Sequence, residues 1–461
     1  MVGVEFLFTA DATRRVPSGS WPSVGDAAHR ALRCDATRRR PGNEVLHLVG
    51  RGTSSDPSRP LSGNMKTEQS LIRPGLAIIA NCMTPYRAHL HTLIAAGIPE
   101  LKLHTLITHG AAAFDWTVEV PPTIHASSFA APDDSPLAGS FAAPLREWQK
   151  GGRLIRYLEL NDVRAVILNG YRYLSNWRVI NRCHRAGIPL FVRNDSNILC
   201  ERNLPSWKQW LKTRVYRAWI PRTAGIMSMG ELGDQFFRKY GAVPERLYRV
   251  PVWPDYDRYS EIDQDRLEGF CRKFHLRDDR RYLLYSGRLV PKKRVDLLID
   301  AFAAIAGQRA NWDLLIVGDG PLREQLRERI PKSIQPRVVW TGFVQQNECI
   351  SAYHAADALV LPSDQEPWAL VVQEAMAAGI PVIASDAVGA AREMVKDRES
   401  GRIFPAGNLA ALQQAILDVT DSDLIGRYRE RATASLAEYR RQIDPVSEIR
   451  RALTDVGLLK S

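Results

Sequence analysis

The sequence predicts an α/β protein with two doubly wound domains that face each other across a cleft. Apolar runs without polar alternation recur along the chain, as expected for parallel strands that are covered on both faces. Amphipathic helical stretches separate these runs, so the elements follow in the order strand, helix, strand. The series occurs twice, on either side of the segment VPVWPDYDRYS, and 461 residues suffice for two cores.

The N-terminal domain is predicted over residues 71–250 and the C-terminal domain over 261–425, with 251–260 as the hinge. A basic helical tail is predicted over 426–461. Two predicted helices of the first domain, RAHLHTLIAAGI and SNWRVINRCHRAG, each end at a glycine suited to a C-cap. The predicted strands are GLAIIA, RAVILNG and IPLFVRN in the first domain and RYLLYSG, DLLIVGDG, RVVWTG, DALVLPS and IPVIASD in the second.

Residues 1–70 differ from the rest of the chain. They are rich in Arg, Ser, Pro and Gly, and they contain the near-repeat ADATRR and CDATRRR. Two interpretations are open. The segment is a disordered basic extension, or the start codon is assigned too far upstream, because Met65 opens the segment MKTEQSLIRPGLAIIANC.

Composition narrows the class of protein. No window reaches the roughly 18 uninterrupted apolar residues of a membrane span, so we expect a cytoplasmic protein. The six cysteines are scattered, which fits neither zinc-ligand spacing nor a disulfide scaffold. A net charge of +11 predicts an anionic partner, which is nucleic acid, an anionic membrane or a phosphate-bearing ligand. Nucleic acid is not expected, because no nucleic-acid-binding motif accompanies the charge.

Two glutamates mark the first candidate site. The strand DALVLPS ends shortly before Glu366, and Pro367 is predicted to take the first position of the next helix. Glu374 follows about two turns later, near the same helix face. The N–H groups at a helix N-terminus suit a phosphate, and neighbouring carboxylates suit sugar hydroxyls. A nucleotide diphosphate sugar needs both features.

A cationic turn follows the strand RYLLYSG. Gly287 ends the strand, and Arg288, Lys292 and Lys293 precede an amphipathic helix. A guanidinium and an ammonium at a strand's carboxyl end suit a diphosphate leaving group, on which charge develops as its bond breaks. The alternative interpretation is a solvated basic turn. The loop VGDGP, with Gly318, is a weaker signal, since it is also typical of an ordinary turn.

From about residue 75 to 430 the chain resembles the family 4 retaining glycosyltransferases of the GT-B fold, the glycosyl transferases group 1. The motifs GRLVPKK, VGDGPLREQL, VVWTGFV, ADALVLPS, EPWALVVQEAMAAGIPVIASD and VGAAREMV occur in the family order. The resemblance implies that Arg288 and Lys293 hold the donor diphosphate, that Glu366 contacts the transferred sugar, and that Glu374 hydrogen-bonds the ribose. The other residues expected to bind the donor are Gly287, Gly318, Phe343, Trp368, Ala369 and Leu370.

The implied activity is transfer of a hexose from a UDP- or GDP-sugar to a glycan acceptor, expected to be lipid-linked, in cell-surface polysaccharide or lipopolysaccharide synthesis. No cofactor and no metal are expected, because Arg and Lys supply the positive charge. A GT-B epimerase or phosphorylase is the enzymatic rival, although no lysine stands out as the Schiff-base residue of a phosphorylase. A rival from another class is a non-catalytic nucleotide-sugar-binding or scaffold protein of a polysaccharide assembly complex.

The chain departs from the family pattern at several positions. Ala369 and Arg294 stand where the family commonly has glycine, and we expect the methyl of Ala369 to crowd the donor. The first domain lacks the family's glycine-rich loop. In its place the acceptor side is assigned to Tyr86, Arg87 and His89. Asp195, in FVRNDSN, is the candidate for the role of the family's cleft histidine, and a helix-capping Asp is the alternative.

The segment 204–222 is a candidate membrane contact. It interleaves Trp207, Trp210, Tyr216 and Trp219 with lysines and arginines, which is typical of an interfacial helix on an anionic leaflet. The expected location is then the inner leaflet of the plasma membrane. The alternative is that these aromatic residues pack into the first domain while the cations are solvated.

Overall fold

The computed structural model describes residues 73–109, 118, 120–130, 143–201 and 204–460. The predictions for residues 1–70, including a start at Met65, lie outside this part of the chain. Within it, two parallel sheets with helices on their faces confirm the predicted doubly wound α/β architecture. Every predicted strand is present.

Seven parallel strands form the N-terminal sheet, in the spatial order β3, β2, β1, β4, β5, β6, β7. The first strand is buried along its whole length, as its unbroken apolar sequence requires. The strands are β1 Gly75–Ala80, β2 Lys102–Ile107, β3 Ala126–Ser128, β4 Val163–Asn169, β5 Leu190–Arg193, β6 Gly225–Ser228 and β7 Leu247–Arg249. The helices of this domain are α1 Pro85–Gly97, α2 Ala143–Leu160, α3 Leu174–Ala186, α4 Ser206–Trp219 and α5 Glu231–Lys239.

The two glycines expected to cap helices behave differently. Gly187 ends α3 with a φ of 67°, the left-handed conformation that glycine adopts without strain. Gly97 is the last residue of α1 and Ile98 is its C-cap, so the C-cap prediction for Gly97 is wrong. Glycine at residue 97 instead allows α1 to pack closely against the C-terminal tail. A Cβ at residue 97 would lie 2.6 Å from Cγ1 of Val446 in the tail.

Six parallel strands form the C-terminal sheet, in the order β10, β9, β8, β11, β12, β13. Two helices precede it, α6 Tyr256–Ser260 within the predicted hinge and α7 Gln264–Lys273. The strands are β8 Arg281–Ser286, β9 Trp312–Val317, β10 Val338–Gly342, β11 Ala358–Leu361, β12 Val382–Ser385 and β13 Gly401–Phe404. The remaining helices are α8 Val295–Ile305, α9 Arg323–Arg329, α10 Gln346–Ala355, α11 Leu370–Ala377, α12 Gly389–Met394, α13 Leu409–Val419, α14 Ile425–Gln442 and α15 Pro445–Asp455.

The helical tail contacts both domains. α14 packs against α11 and α12, whereas α15 packs against β7 and α1. The hydroxyl of Tyr248 donates to Asp455 at 3.0 Å, and Arg450 pairs with Glu100 at 2.7 Å. One cluster of buried apolar side chains also extends from Ile78 and Phe191 of the first sheet into the second domain. In the described part of the chain, no helix has the length and apolar character needed to span a bilayer.

Candidate functional site

The candidate site lies where two loops of the C-terminal domain leave neighbouring strands. Residues 287–294, here called the cationic loop, follow β8, and residues 362–369, the acidic loop, follow β11. β8 and β11 pair in parallel, so their carboxyl ends share one edge of the sheet. Chain order reverses between these two strands, and ligands of doubly wound sheets bind at such a switch point.

Two glycines bring the backbones of neighbouring loops together. Gly287 has a φ of 154° and Gly318 a φ of 130°. A Cβ at residue 318 would lie 2.0 Å from the carbonyl oxygen of Gly287, so only glycine fits this approach. Their donor contacts stay a prediction, as does that of Phe343, which is exposed directly after β10.

Lys293 and Glu366 connect the two loops. The ammonium of Lys293 forms an ion pair with the carboxylate of Glu366. Burial lowers the pKa of Lys293 to about 8, and the nearby charges of Lys292 and Arg288 act in the same direction. Arg288 itself is exposed. The structure therefore brings three of the predicted catalytic residues to one edge of the sheet, with opposite charges facing each other.

The acidic loop is held in an extended course by the first two residues of α12. The carbonyl oxygen of Glu366 accepts from the amide of Gly389 at 3.1 Å, and that of Trp368 accepts from Ala390 at 2.7 Å. Because these bonds fix the loop, α11 begins at Leu370. The prediction that Pro367 takes the first helical position is wrong for this reason.

Both positions where the family commonly has glycine adopt left-handed backbone. Ala369 has a φ of 78° and Arg294 a φ of 51°, conformations that cost an L-residue roughly 1–2 kcal/mol. Ala369 is buried just before α11, with 9% of its surface exposed. The structure thus gives a backbone reason for glycine at these positions. Crowding of the donor by the Ala369 methyl stays a prediction.

We expect Ala369→Gly to raise the free energy of unfolding by about 0.5–1 kcal/mol, because glycine adopts the left-handed conformation without the steric cost of a Cβ. Urea unfolding of the two proteins measures the difference. Ala375→Gly, in the middle of α11, is the matched control and should lower stability by about 1 kcal/mol. A loss of stability in both variants would contradict the strain at residue 369.

Glu374 is buried, and two tyrosines satisfy its carboxylate. Tyr259 of α6 donates to Oε1 and Tyr353 of α10 to Oε2, both at 2.7 Å. Burial raises the pKa of Glu374, and the two hydrogen bonds oppose that rise. The carboxylate therefore ties α11 to α6 and α10, and its contact with a ribose stays a prediction.

Gln373 joins the same helix to the hinge. Its side-chain amide donates to the carbonyl of Val252 at 3.1 Å and to the hydroxyl of Tyr256 at 2.6 Å. Its amide oxygen accepts from the indole of Trp368 at 2.9 Å. Gln373 therefore holds the side chain of Trp368, a residue of the acidic loop. The predicted donor contacts of Trp368 and Leu370 are not tested by this geometry.

The N-terminal domain reaches the acidic loop through Asn197, which sequence reasoning missed. Its amide donates to the carbonyl of Pro367 at 3.0 Å. Asp195 is exposed two residues earlier, so it lies beside this contact between the domains. Arg193 is buried and donates to the carbonyls of Val250 and Pro251 at 2.9 and 2.8 Å.

The three predicted acceptor-side residues lie in the first turns of α1. Arg87 bends back into the preceding loop, where it donates to Oδ1 of Asn81 at 2.7 Å. His89 lies 3.8 Å from the carboxylate of Asp255 in the hinge. Tyr86 precedes them and is half-buried. α1 therefore contacts the hinge, and an acceptor contact by any of the three stays a prediction.

A buried charged cluster at the carboxyl end of β2 was also missed. Lys150, with 1% of its side chain exposed, pairs with Glu147 at 2.7 Å, and Ser175 donates to the same carboxylate at 2.6 Å. Burial would raise the pKa of Glu147, but hydrogen bonds from His109, Lys150 and Ser175 outweigh it and lower the pKa to about 2. His109 and Ser175 are far in sequence from Glu147 and Lys150, and no motif connects them.

The aromatic residues of α4 divide into two groups. Tyr216 and Trp219 are fully buried, as the packing interpretation expects. Trp207 and Trp210 are 59% and 61% exposed, and the ammonium of Lys208 and the guanidinium of Arg214 lie over their rings. The first half of the helix therefore presents aromatic and basic side chains to the surroundings.

Comparisons with known proteins agree with this architecture. Residues 270–437 match the family model of glycosyl transferases group 1. Solved structures also superimpose on most of the chain. The Anabaena protein Alr3699/HepE in complex with UDP and glucose is 16% identical, with a TM-score of 0.62 over 84% of this chain and 100% of that one. WaaG, a glycosyltransferase involved in lipopolysaccharide biosynthesis, is 20% identical, with a TM-score of 0.59 over 82% of this chain and 99% of that one.

The chain has the GT-B fold. Curated relatives of known activity align with about half of it. The alpha-D-kanosaminyltransferase of Streptomyces kanamyceticus is 27% identical over 51% of this chain and 62% of its own length. The phosphatidyl-myo-inositol mannosyltransferase of Mycobacterium leprae is 31% identical over 50% of this chain and 58% of its own length. The alignment thus covers less than two thirds of the length of either relative. Together the matches show the fold and a similarity to glycosyltransferases.

Proposed function

We propose that the protein is a family 4 retaining glycosyltransferase that moves a sugar from a nucleoside diphosphate sugar to a glycan acceptor. The observation that carries the proposal is the meeting of the cationic loop with Glu366 at the switch point of the C-terminal sheet. A diphosphate group is bound by cationic side chains, and sugar hydroxyls donate hydrogen bonds to an acceptor such as a carboxylate. The group 1 match over residues 270–437 covers both loops.

In the proposed reaction, the bond between the anomeric carbon and the diphosphate oxygen breaks while the acceptor hydroxyl bonds to the same carbon. The proton of that hydroxyl passes to the leaving diphosphate. Arg288 and Lys293 stabilise the charge that develops on the diphosphate, and Glu366 orients the sugar. No side-chain nucleophile is required. In the described residues no group of three or more His, Cys, Asp or Glu could hold a metal ion, and metal independence stays part of the proposal.

The donor is proposed to be a UDP- or GDP-sugar and the acceptor a lipid-linked glycan of the cell surface. Support comes from the names of similar proteins: HepE was solved with UDP and glucose, and a GDP-mannose-dependent alpha-mannosyltransferase of Mycobacterium tuberculosis is 29% identical over 49% of this chain. WaaG is described as acting in lipopolysaccharide biosynthesis.

Thermal-shift titration of the full chain with UDP, GDP, ADP and dTDP tests the proposal. A ligand that binds only the folded state raises the unfolding midpoint, so one nucleotide should give a clear shift. The absence of a shift with all four nucleotides would contradict a nucleotide-sugar site.

The second candidate is a nucleotide-sugar-binding or scaffold protein without turnover. The strained backbone at Ala369 and Arg294, in place of the family's glycines, favours it. Incubation with the donor sugar and no acceptor separates the two candidates. Slow release of the sugar to water indicates an enzyme, whereas binding without release indicates the scaffold.

The pH dependence of nucleotide affinity follows from Lys293. Its pKa of about 8 means that the cation is present below pH 8 and is lost above it. We expect the affinity for a nucleoside diphosphate to be nearly constant up to about pH 7, to fall about twofold by pH 8, and to fall by up to about tenfold per pH unit well above 8. Calorimetric titrations across this range measure the profile. Lys293→Met should bind weakly with a flat profile, and a bend retained in this variant would exclude Lys293 as its source.

We propose that the exposed part of α4 binds an anionic membrane surface, which places the protein on the inner leaflet of the plasma membrane. Trp207 and Trp210 supply the apolar contacts, and Lys208 and Arg214 supply the positive charge. This surface would bring a lipid-linked acceptor to the cleft.

Replacing both Trp207 and Trp210 by Ser is expected to weaken binding to phosphatidylserine-containing vesicles by at least about tenfold, because the apolar area that enters the interface is lost. Vesicle sedimentation measures the change. Trp148→Ser is the matched control, since Trp148 is 48% exposed on α2 of the same domain. Equal vesicle binding by all three proteins would contradict membrane contact through α4.

A further inference from the structure

Three links join the cationic and acidic loops. The backbone amide of Asp364 donates to the carbonyl of Lys292 at 2.9 Å. The guanidinium of Arg294 pairs with the carboxylate of Asp364 at 3.1 Å. The third link is the ion pair between Lys293 and Glu366. The first two links do not involve the side chains of Lys293 and Glu366, which are proposed to bind the diphosphate and the sugar. The third link pairs these two side chains with each other.

Glu366 is the counter-ion of Lys293 in this structure. Only 19% of the Lys293 side chain and 13% of the Glu366 side chain are exposed. Lys292 and Arg288 repel the ammonium of Lys293, and burial disfavours its charge. Within the described ranges, the one carboxylate within ion-pair distance of Lys293 is that of Glu366. The pair therefore stabilises a charge that the neighbouring residues oppose.

We propose that the donor's diphosphate displaces Glu366 from Lys293, and that a nucleoside diphosphate, unlike a monophosphate, must break this ion pair in order to bind. The inference rests on the proposed function. A diphosphate brings more negative charge than one carboxylate and reaches Arg288 as well. A monophosphate lacks the second phosphate group, so it binds without displacing Glu366 and leaves the ion pair in place. After the exchange, the carboxylate of Glu366 is free to accept hydrogen bonds from sugar hydroxyls.

The other two links allow the exchange without separating the loops. Arg294 pairs with both Asp364 and Asp296, so it anchors the acidic loop to the start of α8. A glycine, the residue that the family commonly has there, could not form this anchor. The strained arginine therefore holds the loops in place while the Lys293 pair opens.

Calorimetric titration of the full chain with UDP, UMP, GDP and GMP tests the exchange. Glu366→Gln removes the competing carboxylate. We therefore expect this variant to bind the nucleoside diphosphate of the preferred base about tenfold more tightly and the corresponding monophosphate less than about twofold more tightly. Lys293→Met should reduce the difference between diphosphate and monophosphate. In that background, the further change Glu366→Gln should no longer tighten diphosphate binding.

The matched control is Glu438→Gln, which removes the same charge from an exposed pair with Lys396. It should leave all four affinities unchanged. If Glu366→Gln leaves diphosphate affinity unchanged or weakens it, or tightens both nucleotides equally, the exchange is overturned while the proposed nucleotide site stands. If neither the unmodified chain nor the variant binds any of the four nucleotides, the proposed function fails as well.

Discussion

Arg288→Ala is expected to lower kcat/KM for sugar transfer by a factor of about 10²–10³, the usual loss when one group that stabilises developing charge is removed. The guanidinium lies in the cationic loop at the end of β8, and its side chain is exposed. Its removal should therefore leave the fold intact. Release of the nucleoside diphosphate, followed in a coupled assay with a sugar donor of the nucleotide identified by thermal shift, measures the loss.

Lys292→Ala is the matched control, because Lys292 is an exposed cation in the same loop that is not assigned to the diphosphate. We expect it to change kcat/KM by less than about threefold, as for a screened surface charge. Arg288→Lys should retain part of the activity, since an ammonium restores the charge but not the two-pronged geometry. Full activity in Arg288→Ala would remove this residue from the reaction.

Sequence periodicity predicted the long elements and missed the short or interrupted ones. β1 is an unbroken apolar run and β8 contains the apolar run YLLY, whereas β3 and β7 have three residues each and show no period. α2 contains Gly151 and Gly152, a pair that usually indicates a turn. Here the pair allows close packing, since a Cβ on Gly151 would lie 3.1 Å from Cα of Ser175 in α3. Packing between helices overrode the local signal.

The residues of the candidate site also fall into those that the sequence predicted and those that it missed. Motif spacing identified Arg288, Lys293 and Glu366, and the structure brings these residues to one sheet edge. Motif spacing could not identify Tyr259 or Asn197. Tyr259 bonds to Glu374 of α11 and Asn197 bonds to the acidic loop, and in each case more than a hundred residues of sequence separate the partners. Such partners follow from the tertiary fold, and a single sequence carries no local signal for them.

Glu374→Ala is expected to lower the free energy of unfolding by about 2–4 kcal/mol, because it leaves two buried tyrosine hydroxyls without their acceptor and opens a cavity. The hydroxyls of Tyr259 and Tyr353 both donate to this carboxylate, and the former links α11 to the hinge. Urea unfolding measures the loss. The same variant should lose its thermal shift with nucleoside diphosphates, since α11 follows the acidic loop directly.

Loss of nucleotide binding in Glu374→Ala could arise from a disturbed hinge or from a missing ribose contact, and Glu374→Gln separates the two. Its amide oxygen still accepts from one tyrosine, so stability should fall by only about 1 kcal/mol. If the carboxylate also accepts from ribose hydroxyls, the unmodified chain prefers a nucleoside diphosphate over its 2′-deoxy form, and Glu374→Gln reduces that preference. We expect this reduction. An unchanged preference would show that Glu374 acts solely as the anchor between α11, α6 and α10, because an anchor stabilises both nucleotide complexes equally.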